Sequence, residues 1–170
     1  MAYSRPLGRF ALVCWLAALG GCGATQYVKV RSVPRSPLVE QLKLTSRGGP
    51  QPSGRTAQLL RQYALLDMLH GNMQPLLDKF QAVLDRETTP DKIYAFAELN
   101  YIAGLKAELK NPDLALDYFG TTVTHAYLYL FDTRFGPLRN PYDPEFRGAC
   151  ELYNGALESA LRLLQKRGGL

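Results

Sequence analysis

Three short segments of this chain repeat one device: Thr89-Pro90-Asp91, Asn111-Pro112-Asp113 and Asp143-Pro144-Glu145. Thr, Asn and Asp carry oxygens that accept hydrogen bonds from the free N–H groups of a first helical turn. Proline at the first helical position arrives with a helical φ and has no N–H to leave unpaired. The acid that follows faces the positive end of the helix dipole. Three such starts, each followed by apolar residues at helical spacing, predict helices from Pro90 to about Leu109, from Pro112 to about Phe131 and from Pro144 to about Lys166. Two more are expected upstream. One runs from Gly54 to Leu69, with Leu59, Tyr63, Leu66 and Leu69 or His70 along one stripe, and is stopped by His70-Gly71-Asn72. The next runs from Met73 to Arg86, with Leu76, Leu77, Phe80, Val83 and Leu84 apolar and Pro75 in its first turn, where proline is tolerated. In the last helix Phe146, Cys150, Tyr153, Leu157, Leu161 and Leu164 recur at helical spacing and predict its buried face. No strand pattern interrupts residues 53–170. The expected class is all-α: four to five amphipathic helices as repeat-like antiparallel hairpins.

The start of the chain has a different character. Arg5 and Arg9 precede the apolar run Phe10 to Gly21, and no acid appears before Glu40. A positive end, a short apolar stretch and small residues form an export signal, too short to span a bilayer stably. Leu19-Gly20-Gly21-Cys22 resembles the lipobox of bacterial lipoproteins, an apolar residue and two small residues before a cysteine. The resemblance implies that residues 1–21 are a signal peptide, that Cys22 is lipidated and becomes the mature N-terminus, and that acyl chains such as palmitate hold the chain to a membrane. Gly23 stands where an aspartate can act as an inner-membrane retention signal. The expected address is therefore the periplasmic face of the cell envelope, with the outer membrane favoured. Of the three cysteines, Cys14 falls in the signal and Cys22 takes the lipid. Cys150 is left alone, without an intramolecular disulfide, and reads as a small core residue on the last helix.

Residues 22–52 read as a lipidated, proline- and arginine-rich tether. Pro34, Pro37, Pro50, Pro52, Gly48 and Gly49 oppose regular structure. Tyr27 to Val33 suits a short strand or an extended segment, and Pro37 to Leu44 a single helical turn. Lys29, Arg31, Arg35, Lys43, Arg47 and Arg55 outnumber Glu40, an excess that suits either anionic lipid head groups or a solvated linker. The basic residues are scattered through this tether, which argues against nucleic acid as a partner.

Leu99, Ile102, Ala103, Ala115 and Phe119 fall at the relative spacing of the tetratricopeptide repeat, and this stretch resembles one unit of that family. The resemblance implies a helix hairpin whose small residues allow close crossing. Lys106 replaces the expected tyrosine, Thr122 the expected alanine, and no proline closes the unit. The segments from His125 to Asp132 and from Arg139 to Glu158 are also similar to the helical front portion of α/β-hydrolase-like lipoproteins of planctomycete type. That likeness implies an accessory domain whose catalytic half is missing, since no G-x-S-x-G occurs anywhere in the chain.

Residues that carry chemistry are few. His70 at a helix end suits the dipole. His125, mid-helix, reads as a hydrogen-bonded interior histidine. No histidine or cysteine sits at metal-ligand spacing with another, and no glycine loop resembles a phosphate cradle, so neither metal nor cofactor is expected. The tyrosines are the more suggestive feature, because each joins an apolar body to a polar tip. They predict a groove between the last three helices, lined by Tyr94, Glu98, Tyr101, Tyr118, His125, Arg134 and Arg139. Together these readings predict a membrane-anchored, non-catalytic binding or scaffolding module with a protein partner in the envelope. The alternative is an accessory front domain of a truncated or split α/β-hydrolase-like lipoprotein.

Overall fold

The computed structural model describes residues 37–44 and 48–168, and every described element is helical. Cys14, Cys22 and the segment from Tyr27 to Val33 lie outside the described residues. Helix α1 spans Pro37–Gln41, α2 Gly54–Gln62, α3 Met73–Arg86, α4 Pro90–Ala107, α5 Pro112–Phe131 and α6 Pro144–Lys166. Short 3₁₀ helices cover Leu66–His70 and Thr133–Leu138. No described helix is long and apolar enough to cross a membrane.

The proline-led starts are all present, although their caps differ. Asn111 accepts from the Leu114 N–H at 3.1 Å, and Asp143 from the Glu145 N–H at 2.9 Å. Thr89 sits in extended backbone and makes no side-chain cap bond. Upstream, Ser53 and Asn72 cap α2 and α3.

The single helix expected from Gly54 to Leu69 is broken in two. At Ala64 the backbone turns left-handed, with φ 55°. The Leu65 N–H donates to the Leu60 carbonyl at 2.8 Å and the Ala64 N–H to the Arg61 carbonyl at 3.1 Å. This double bond pattern is a Schellman C-cap, with the apolar pair Leu60 and Leu65 both buried. The break rotates the expected stripe: Thr56 and Leu60 turn inward, while Tyr63 is 37% exposed. Tyr63 instead lies under the Lys92 ammonium, 5.6 Å from its ring centre.

Helix α4 is the axle of the fold. Every residue from Lys92 to Gly104 is buried, so this helix is enclosed on all sides and lacks the polar face expected of an amphipathic helix. Its α5 neighbour runs antiparallel. Thr122 Oγ1 donates to the Ala97 carbonyl at 3.3 Å, and Phe119 packs where Gly104 has no side chain; a Cβ there would meet the Phe119 ring at 2.6 Å. Leu99, Ile102, Ala103, Ala115 and Phe119 are all buried in this hairpin. Helix α6 continues the antiparallel course beside α5 and therefore runs parallel to α4. A heptad match records this: a Cβ at Gly148 would meet the Tyr94 hydroxyl at 2.3 Å, and one at Gly155 the Tyr101 hydroxyl at 3.1 Å.

The buried face of α6 is accordingly not the expected stripe. Gly148, Ala149, Leu152, Ala156, Ser159 and Leu163 point inward, while Phe146, Cys150, Tyr153 and Leu157 flank them half-buried and Leu161 is 45% exposed. Where helices cross closely, small residues must occupy the contact line and larger ones spread to either side. The core also reaches upstream of Ser53. Leu38 and Leu42, around α1, are 2% and 0% exposed, and Gln41 Nε2 donates to the Tyr94 hydroxyl at 2.7 Å.

Candidate functional site

The seven residues expected to share one groove fall in three places. Tyr94, Glu98 and Tyr101 are interior residues of α4. The Tyr94 ring lies 5.6 Å from that of Tyr129, and Tyr101 packs 5.8 Å from Phe119. Burial pushes both phenols above their ordinary pKa. Glu98 is fully enclosed, and its carboxylate holds the start of α2: Ser53 Oγ donates at 2.8 Å, Thr56 Oγ1 at 2.9 Å, and the Ser53 backbone N–H also donates to it. Burial pushes the Glu98 carboxyl up, with these three donors opposing it. Glu98 is thus a strut between α2 and α4.

Arg134 and Arg139 belong to the turn after α5. Arg134 pairs with Asp132, its Nη2 at 2.6 Å from Oδ2, and Arg139 donates to the Asp132 carbonyl. Asp132 is held below the ordinary carboxyl range by its Arg134 contacts. These arginines brace the 3₁₀ helix Thr133–Leu138 and do not reach the tyrosines of α4.

Tyr118 and His125 are brought together. They lie two turns apart on α5 and line a groove of about 380 Å³ between α3, α4 and α5. The Tyr118 hydroxyl donates to Gln74 Oε1 at 2.8 Å, and Gln74 Nε2 donates onward to Asp78 at 2.8 Å. The His125 ring meets Phe96 edge-on at 4.7 Å, and Phe96 stacks in turn with Phe80. His125 Nδ1 lies 2.8 Å from the Thr121 carbonyl. A carbonyl only accepts, so Nδ1 carries the hydrogen, and in the neutral ring Nε2 is an acceptor. Burial pushes the His125 pKa down, which keeps the ring neutral near pH 7. Asp78 and Asp117 stand in the lining, and no lysine or arginine does. The groove therefore offers an aromatic floor, amides and two carboxylates.

A second cleft of about 280 Å³ opens between α2 and the starts of α4 and α6, and nothing in the residue spacing announced it. Arg55 crosses it, reaching Asp143 at 2.9 Å and Glu145 at 3.5 Å. Glu145 is 6% exposed, and burial pushes its carboxyl up to about 7. Asp143 moves the other way, stabilised by the Glu145 backbone N–H and by Arg55. The only advance signal for Glu145 is its position after a capping Asp-Pro, which placed it near the dipole but not inside the core.

Among the described residues no group of three or more His, Cys, Asp or Glu side chains is placed to hold a metal ion. His70 is exposed at the end of the 3₁₀ helix Leu66–His70, and Cys150 is half-buried on the flank of α6. No protein-family model, no curated protein and no solved structure matches this chain.

Proposed function

We propose that this protein is a lipid-anchored helical binding module of the bacterial cell envelope, and that its partner is a polypeptide held in the groove between α3, α4 and α5. The groove itself carries the proposal. It is an open trough in which aromatic side chains form the floor and Asp78 and Asp117 the rim. Such a surface suits an extended, basic segment with an apolar side chain for the floor and cations for the rim. The neutral His125 ring adds one acceptor for a backbone N–H of that segment. The anchor rests on the lipobox-like Leu19 to Cys22, whose thiol is the attachment point in this reading.

The test uses the full chain in its bacterial host. A photo-crosslinking side chain at Gln81 or Thr121, both in the groove lining, yields a defined adduct; one at Lys79 or Thr124, outside it, does not. Asp78→Lys with Asp117→Lys abolishes the adduct. Cys22→Ala moves the protein from the membrane to the soluble fraction. Adducts of equal yield from all four positions, or adducts indifferent to the charge reversal, refute the groove. Unchanged fractionation of Cys22→Ala refutes the anchor.

A further inference from the structure

A further concavity of the described surface lies at the opposite end of α4 from Glu145. It is a cleft of about 810 Å³ bounded by the turn after α1, the outer side of α2, the 3₁₀ helix Leu66–His70 and the C-terminal end of α4. Five of its lining residues are Lys43, Arg61, His70, Lys106 and Lys110, and none is Asp or Glu. They come from four separate segments spanning residues 43 to 110, so no local sequence preference accounts for their meeting.

Among the described residues, five cations elsewhere in the fold are neutralised, whereas Lys79, Arg86, Arg147 and Lys166 stand singly on the surface without gathering around a concavity. Arg55, Lys92, Arg134, Arg162 and Arg167 each pair with a carboxylate. Lys43, Arg61, Lys106 and Lys110 have no ion pair among the described residues. Lys106 makes the contrast plain. Its ammonium turns back into the cleft, donating to the Leu69 carbonyl at 3.2 Å with Met73 Sδ at 3.6 Å. Partial burial without a counter-charge pushes its pKa down. Like charges gathered around one concavity repel each other and focus a positive potential there. The C-terminal dipole ends of α2 and α4 offset part of that repulsion.

We infer that this cleft is a binding site for a phosphate group carried on a small organic moiety. A guanidinium fork, three ammonium groups and an imidazole supply many donors and no competing charge, which matches the several oxygens and the double charge of phosphate. The remaining walls include Pro50, Pro52, Ala57, Leu66 and Leu69, which cover an apolar neighbour of the phosphate. The floor is held in shape by the Gln51 N–H donating to the Leu42 carbonyl at 2.8 Å and by left-handed backbone at Lys43 and Gly49. A soluble phosphate ester and an anionic phospholipid headgroup present the same chemistry.

The test is calorimetric titration of the full chain in non-ionic detergent. One arm adds glycerol 3-phosphate; the other adds micelles doped with phosphatidylglycerol, with phosphatidylcholine as the neutral reference. Arg61 and Lys110 are exposed and outside the core, so Arg61→Gln with Lys110→Gln leaves the fold intact. That pair of substitutions weakens saturable binding by about tenfold or more, while Lys79→Gln with Arg86→Gln on α3, equal in charge, leaves it unchanged. Binding to phosphatidylglycerol alone assigns the headgroup; saturable binding of glycerol 3-phosphate assigns the ester. The inference is overturned by no saturable binding in either arm, by binding that ignores Arg61 and Lys110, or by equal weakening from the two double variants.

Discussion

At Glu98 a side chain that looks like part of a ligand surface is a piece of internal scaffolding. A carboxylate removed from water is stabilised only by donors that travel with it, and here Ser53 and Thr56 supply them from the first turn of α2. Glu98→Ala strands those donors inside the core and lowers stability by about 2–4 kcal/mol. Glu98→Gln keeps an acceptor and most of the shape, and loses clearly less. Urea unfolding of the two variants against the parent checks the order; equal losses would mean that the donors are satisfied by other groups. The sequence around Glu98 did carry a warning. Ile93, Ala95, Phe96, Ala97, Leu99 and Ile102 leave no polar face on α4 for the acid to occupy. His125 is a mixed case: read both as a hydrogen-bonded interior ring and as a groove residue, it bonds to the Thr121 carbonyl one turn back and is only half-buried, in the groove lining.

At the scale of elements, starts are more legible than stops. Ser53, Asn72, Asn111 and Asp143 cap their helices with side-chain oxygens whose chemistry is visible in the residue type. The end of α2 is hidden, because its left-handed residue is Ala64, where glycine is the usual occupant. Holding alanine there costs about 1 kcal/mol. Ala64→Gly therefore raises the thermal midpoint, with a gain below about 1 kcal/mol because glycine also gives the unfolded chain more freedom. Ala64→Val lowers it. A lower midpoint for Ala64→Gly would contradict the Schellman geometry. The buried face of α6 departs from its hydropathy stripe for a related reason. Hydropathy favours Phe146, Tyr153 and Leu157, whereas the crossing with α4 selects Gly148 and Gly155 to admit Tyr94 and Tyr101.

For the whole molecule, the buried carboxyl of Glu145 makes stability depend on pH. Its pKa rises from an ordinary 4.5 to about 7 in the fold. The unfolded chain gives up this proton at lower pH than the folded one, so stability is greatest below the unfolded value and falls as pH rises through the folded one. The loss across that window is on the order of 3 kcal/mol. Glu145→Gln cannot ionise, and its unfolding free energy varies less between pH 5 and 8 than the parent's, a range set by the ~1.4 kcal/mol of each tenfold change in proton affinity. Parallel curves for the two proteins would show that Glu145 keeps an ordinary pKa. Arg55 opposes the shift without cancelling it, since it lies half in solvent.

The helical class, the positions at which α3 to α6 begin, and the hairpin of α4 with α5 are all legible along the chain. These depend on caps, on proline geometry and on apolar spacing, which are properties of neighbours along the chain. Tertiary structure alone decided which tyrosines are core and which line a groove, why Glu98 is a strut, and how Lys43, Arg61, His70, Lys106 and Lys110 come to share one cleft. Burial and electric field depend on what packs against a helix from distant parts of the chain, and local spacing does not encode that.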